Sequence, residues 1–97
     1  MIAFVGDGGF AMLMAEFLTA VKHHLPVKVV INNNNSLGQI LWEQMVLGYP
    51  EHRVRYPEPF VDYAALATAN GALGIKAEKA ADVRGAIERV LDHEGPH

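Results

Sequence analysis

The sequence predicts an α/β domain, a three-layer arrangement in which a mostly parallel sheet is flanked by helices. Three observations carry that expectation. Ile2-Ala3-Phe4-Val5 is a short apolar run ended by the glycine turn Gly6-Asp7-Gly8-Gly9, the pattern of a buried strand. Val27-Lys28-Val29-Val30-Ile31 is β-branched at four of its five positions and runs into Asn32-Asn33-Asn34-Asn35, the pattern of a central parallel strand stopped by a polar turn. Residues 10–24, between them, are mostly helix formers with no proline. Strand, helix and strand within about 30 residues make one βαβ unit. Its right-handed crossover makes the strands parallel and sets both turns at one carboxyl edge, the edge where open α/β sheets bind ligands.

The elements follow in order. Phe10, Met12, Leu13, Met14, Phe17, Leu18 and Val21 spread over more than half a helix circumference. A largely buried helix from Phe10 to His24 is expected, with Glu16, Lys22 and His23 on its wetter side. Leu25-Pro26 should end it, because the residue before a proline is pushed out of the α region. Ser36 to Met45 starts another helix around Trp42. Residues 48–59 hold Pro50, Pro57, Pro59, Arg53 and Arg55. They are expected to form an irregular loop, long enough at about 12 residues to suggest a functional or mobile role. Asp62 caps a helix through Asn70, and Asn70-Gly71 is its left-handed stop. Leu73 to Ala77 is a short candidate strand. Ala80 to Leu91 is an amphipathic helix, with Val83, Ile87, Val90 and Leu91 on one stripe. The alternation then stops at Glu94-Gly95-Pro96-His97, so the last helix is expected over an incomplete sheet.

At 97 residues the chain holds one domain. A composition of 51% hydrophobic and 20% charged residues predicts a core formed without staples. There is no cysteine, which excludes disulfides and thiolate metal sites. A net charge of −3 with a pI near 5.9 argues against a nucleic-acid or anionic-membrane surface. No apolar run approaches the ~20 residues of a membrane span, and no basic signal-peptide region opens the chain. A cytoplasmic setting is the expectation.

The two turns suggest a chemistry. Gly8 and Gly9 let an anion approach their backbone N–H groups, and the helix that follows points its N-terminus at the same spot. Asp7 would repel that anion unless a cation lay between them. Magnesium fits, because it is oxygen-seeking and is commonly shared between a carboxylate and substrate phosphates. An asparagine of the second turn, together with a backbone carbonyl, would complete three protein ligands.

Gly6-Asp7-Gly8, a gap of 24 residues (9 to 32) and then Asn33-Asn34 resembles the cofactor motif of thiamine-diphosphate enzymes. Gly8-Gly9-Phe10, Met12-Leu13-Met14, Glu16-Phe17-Leu18, Leu25-Pro26-Val27-Lys28, Leu37-Gly38 and the stretch from Gly71 to Ala77 are similar to the group of pyruvate oxidase, quinone-dependent pyruvate dehydrogenase and acetolactate synthase. The resemblance implies a thiamine-diphosphate-binding fold truncated at both ends, with residues 1–97 a partial C-terminal domain for thiamine diphosphate and Mg2+. It implies Asp7 as carboxylate ligand, Asn34 as amide ligand and Ser36 as a backbone carbonyl ligand. Gly8, Gly9 and Phe10 would face the diphosphate through their backbone, with Gly6 beside them and Leu37-Gly38 closing its other side. The run of four asparagines leaves Asn33 and Asn35 open as alternatives to Asn34.

The same resemblance implies a 2-oxo acid as substrate, decarboxylation as the reaction and a homo-oligomeric parent. The activating glutamate belongs to a pyrimidine-binding domain, of the parent or a partner subunit, for which this chain has no room. Glu16 cannot replace it, so no catalytic residue is expected here and the chain alone should be inactive. A flavin such as FAD would belong to the parent. Two alternatives stand beside this reading: a truncated or degenerate non-catalytic binding module, and an acetolactate synthase-type carboligase domain. A flavodoxin-like or dinucleotide-binding module lacks its Gly-x-Gly-x-x-Gly fingerprint here. Met12 and Met14 are expected as core filler, and Arg53 and Arg55 as surface charge. His23 and His24 lie on different helix faces and would not chelate. Glu43 and Trp42 are candidates for the substrate side or for packing.

Overall fold

In the computed structural model of the chain, which describes residues 1–56 and 61–93, β1 (Ile2–Gly6) and β2 (Lys28–Asn32) pair in parallel. Ile2 lies opposite Lys28 and Gly6 opposite Asn32. Both strands therefore end at one edge, and the two turns emerge side by side, as a βαβ unit requires. These two form the only sheet among the described residues.

The helix expected over Phe10–His24 is instead two helices, α1 (Asp7–Met12) and α2 (Glu16–Lys22). α1 starts three residues early, directly off β1, because Gly8 and Gly9 supply its first turn. Between the helices, N–H groups bond three residues back, Leu13 to Phe10, Glu16 to Leu13 and Phe17 to Met14. A segment apolar nearly all round has no single stripe to bury. The tight turn reorients α2, so that Phe17 and Ala20 are buried while Met12 and Leu13 are left 73% exposed. Met14 is half-buried, so only one of the two methionines expected as core filler turns inward.

The proline does not end α2. The Leu25 N–H bonds Ala20 O, the His24 N–H bonds Val21 O, and His24 has φ +52°. This is a Schellman motif with histidine in the position that glycine usually takes. The same motif closes α3 (Gly38–Val46) at Gly48 and α4 (Tyr63–Ala69) at Gly71, the expected stop. Asp62 caps α4 as expected, its carboxylate accepting the Ala65 N–H at 3.0 Å.

α3 begins at Gly38 rather than Ser36, because residues 35–37 pair with 54–56. Ser36 bridges Arg55 antiparallel, the Leu37 N–H bonds Val54 O at 2.7 Å, and the Tyr56 N–H bonds Asn35 O at 2.9 Å. The expected irregular loop is therefore ordered at that end, with Val54 only 3% exposed. Pro57 to Pro59 of that loop lie outside the described residues, as do Glu94 to His97.

Leu73–Ala77 is not a strand. It lies against α4 instead of joining the ladder, so closely that a Cβ on Gly74 would sit 2.1 Å from the Ala64 carbonyl oxygen. α5 (Ala80–Asp92) forms as expected but buries none of its residues, and Val83, Ile87 and Leu91 are 40–52% exposed.

The buried apolar residues among those described are Phe17, Ala20, Val54 and Ala67. The self-sufficient core expected from composition is not formed. The accessible surface is 7182 Å², where a folded monomer of 10.6 kDa exposes about 5,500 Å². The radius of gyration is 15.0 Å, against about 12.5 Å for a closed domain of this length. Apolar side chains are made in the right helical stripes, but most have nothing to pack on. Among the described residues no helix is long and apolar enough to cross a membrane.

His24 carries a left-handed conformation that costs a side-chain residue about 1 kcal/mol. His24→Gly should raise stability by about 0.5–1 kcal/mol, read as a higher urea midpoint. An unchanged or lower midpoint would show that the cap is not strained.

Candidate functional site

The site is built where the two turns meet. Asp7 follows β1 directly and is only 2% exposed. Its Oδ2 accepts the backbone N–H of Asn35 at 2.8 Å. The acid of the first turn is thereby bonded to the second turn. Asn35 is left-handed at φ +55°, a conformation asparagine tolerates. The turn is tightened by two further bonds, from the Asn35 N–H to Asn33 Oδ1 and from the Ser36 N–H to Asn34 Oδ1, each 3.2 Å.

A cleft of about 660 Å³ opens at this edge. Asp7, Gly9, Asn34, Ser36, Gly38 and Glu43 are among its walls, with Gly6, Gly8 and Leu37 beside them. The asparagine run alternates. Asn32 and Asn34 line this cleft, while Asn33 and Asn35 line a separate cavity of about 500 Å³ beside α4. Gly38 leaves room for the Asn34 amide, since a Cβ there would lie 2.8 Å from Asn34 Nδ2.

The glycines divide by role. A Cβ on Gly8 would lie 2.6 Å from Tyr56 Oη and 2.9 Å from Leu37 Cδ2, whereas one on Gly9 would meet nothing within 4 Å. Gly9 faces open space, as an approach to its backbone needs. Gly8 is demanded by packing, a reason its sequence context does not reveal. Phe10, expected at the site through its backbone, points its ring away from the cleft. Its ring meets Phe17 edge-on at 6.4 Å and Tyr63 at 5.4 Å, and it lines the other cavity. Glu16 lies on an exposed face of α2, bonded by Thr19 at 3.3 Å, and does not join the cleft. Trp42 is 63% exposed and does not line the cleft either, while Glu43 does.

Two tyrosines were not foreseen. Tyr56 packs on Gly8, and Tyr63 donates its hydroxyl to the Asp7 carbonyl oxygen at 3.2 Å. The alternation of Arg53-Val54-Arg55-Tyr56 was a period-two signal for the first. Nothing local marks Tyr63. Burial raises its phenol above the ordinary 10.0, and the negative charges of Asp7 and Tyr56 add to that.

Chemically, the residues that line the cleft include a carboxylate, Asp7, and a primary amide, Asn34, both of which carry hard oxygen donors. No group of three His, Cys, Asp or Glu stands ready to hold a metal among the described residues. A cation here would depend on one acid, neutral oxygens and its ligand's own oxygens.

A parallel α/β unit with a ligand cleft at its carboxyl edge is what this fold and site define. The family described as "Thiamine pyrophosphate enzyme, C-terminal TPP binding domain" matches residues 1–97, and the chain belongs to it. It is 45% identical over 95 residues to YdaP of Bacillus subtilis (strain 168), a protein named as thiamine pyrophosphate-containing, covering 98% of this chain and 16% of that protein. It is 35% identical over 102 residues to the chloroplastic acetolactate synthase of Arabidopsis thaliana, covering 95% and 15%. The thiamine diphosphate-dependent 4-hydroxybenzoylformate decarboxylase of Rhodococcus jostii RHA1 superposes with a TM-score of 0.87 at 25% identity, over 98% of this chain and 18% of that one. The chain thus spans about one sixth of the length of these relatives, and it carries the thiamine-diphosphate-binding fold.

Gly8→Ala should cost about 1–3 kcal/mol, because Tyr56 or Leu37 must move, while Gly9→Ala should leave stability unchanged or slightly raised. Paired chemical denaturation curves test this, and equal behaviour of the two would contradict the packing role of Gly8.

The raised Tyr63 pKa has a definite sign in stability. Below the ordinary value of 10.0 both folded and unfolded chains hold the proton, so nothing is lost. As pH rises through that value the unfolded chain releases it first and stability falls. Above neutrality, the wild type should therefore lose stability more steeply near pH 10 than Tyr63→Phe does; parallel slopes would contradict it.

Proposed function

We propose that this chain anchors the diphosphate of thiamine diphosphate through Mg2+, as the C-terminal portion of a 2-oxo-acid-converting enzyme. The observation that carries this is the convergence of Asp7, Asn34 and Ser36 on one cleft, with Asn33 and Asn35 turned to the other side. Asp7 would supply the charged ligand, Asn34 its amide oxygen and Ser36 its carbonyl. Gly9 and the neighbouring first turn of α1 would present backbone N–H groups to the diphosphate, and Leu37-Gly38 would bound its other side. Phe10 would contribute only its backbone. The bound cofactor would supply the carbon nucleophile and electron sink for decarboxylation.

The residues of this chain bind and orient. We assign the proton transfer that activates the cofactor's pyrimidine to another domain and give no residue of this chain that role. The excess of exposed surface supports a partner. We read the bare apolar residues of α3 and α5 as faces covered by a pyrimidine-binding domain or a second subunit. A flavin, where one exists, is assigned to the parent protein, and cytoplasm remains the proposed location. The acetolactate synthase relative supports a carboligase outcome beside the pyruvate oxidase-like one.

Cation and cofactor should bind together, because Asp7 repels a bare diphosphate. In calorimetric titrations, thiamine diphosphate should bind with Mg2+ and not in EDTA. Asp7→Ala should abolish binding, and Asn34→Ala should weaken it at least 10-fold, while Asn33→Ala changes it little. Asn35 is best tested as Asn35→Gly, which keeps the left-handed turn. Tight binding in EDTA, or equal losses at Asn33 and Asn34, would overturn the proposal.

A further inference from the structure

Asp7 is gripped at both of its ends. Its carboxylate takes the Asn35 N–H at 2.8 Å, and its main-chain carbonyl takes the Tyr63 hydroxyl at 3.2 Å. The second grip comes from 56 residues along the chain, from a helix with no wall in the cleft. Tyr63 is itself well fixed. It is the first residue of α4, next to the capping Asp62, and its ring stands nearly perpendicular to Phe10, at 84° and 5.4 Å between centroids. Phe10 is three residues after Asp7 in α1, so the ring and the hydroxyl hold the same short helix at two points.

We propose that Tyr63 is a positioning residue for the Asp7 carboxylate, setting its placement against Asn34 from behind through the Asp7 main chain. The proposal rests on the cation-anchoring role of Asp7 given above. α1 has only six residues and follows β1 without a linker, so the Tyr63 bond joins the packing of Gly8 against Tyr56 and Leu37 in fixing it. Without the hydroxyl, the Asp7–Asn35 bond must hold the carboxylate from a turn that is itself left-handed at Asn35. The carboxylate then has freedom that a demanding ion will register. Mg2+ requires near-ideal octahedral geometry at about 2.0–2.1 Å, whereas Ca2+ accepts irregular shells at about 2.3–2.6 Å. Slack in Asp7 should therefore penalise Mg2+ more than Ca2+.

Tyr63→Phe removes the hydroxyl and keeps the ring against Phe10, and Tyr63→Leu removes both. In calorimetry on the full chain, Tyr63→Phe should weaken Mg2+-supported thiamine diphosphate binding about 3–10-fold, the size of one lost neutral hydrogen bond. Ca2+-supported binding should weaken less than about 2-fold. A ligand-free readout stands beside it: hydrogen exchange at the Asn35 amide, bonded to Asp7, should quicken in Tyr63→Phe while that of Val30 in β2 does not. If phenylalanine preserves everything that leucine loses, only the ring matters and the proposal is overturned. Equal losses with both cations, or an unchanged Asn35 amide, overturn it as well. A wild type that binds cofactor with neither cation would instead refute the anchoring role, and the Asn35 amide would still decide whether Tyr63 holds Asp7.

Discussion

A carboxylate accepting a backbone N–H across a strand edge organises this molecule. Asp7 and Asn35 belong to turns 28 residues apart, and the 2.8 Å bond between them ties the exit of β1 to the exit of β2. Parallel pairing brings the turns to the same edge, but it does not lock them together. The bond does, and it buries the acid almost completely. A buried carboxylate needs partners, and here the partner is the loop that also carries Asn34 and Ser36. The candidate ligands are therefore placed by one another.

Around that tie, the structure separates residues that pack from residues that face a ligand. Gly8 is closed in by Tyr56 and Leu37, while Gly9 is open. Asn33, Asn34 and Asn35 all take part in the bonds of the turn, and of these three only Asn34 lines the cleft. Phe10 and Tyr63 form a small aromatic support beneath α1. The antiparallel pairing of 35–37 with 54–56 gives the second turn a floor, and it places Val54 in the core. Such supports decide whether a site has one geometry or several.

The rest of the chain is less finished. α5 has a clear apolar stripe and buries no residue. α3 leaves Trp42, Met45 and Val46 at 62–66% exposure. An apolar face costs free energy in water roughly in proportion to its area, so these helices have the sequence of covered elements without the cover. The same view accounts for the exposed Phe4 of β1, a residue typed for an interior. The tertiary structure thus presents a well-tied site on an open scaffold.

Local sequence determined a good deal. Apolar runs ended by turn residues placed β1 and β2 to within a residue, because a parallel strand needs both faces apolar. Asp62 and Gly71 marked the ends of α4, since capping is decided by the capping residue itself. The Gly-Asp-Gly turn and the asparagine run, spaced for one crossover, marked the edge that carries the cleft. Tertiary structure decided the rest. The break between α1 and α2 lies in a segment apolar on all sides, where periodicity selects no face. His24 took a glycine's place because the following chain had to turn back into β2. Which asparagine faces the cleft depended on the loop's pairing with 54–56, and four identical side chains in a row carry no register of their own. Leu73–Ala77 has a strand's composition but lies against α4, outside the β1–β2 ladder. Tyr56 and Tyr63 reach the site from distant segments, and a contact across 56 residues exists only once the chain has folded.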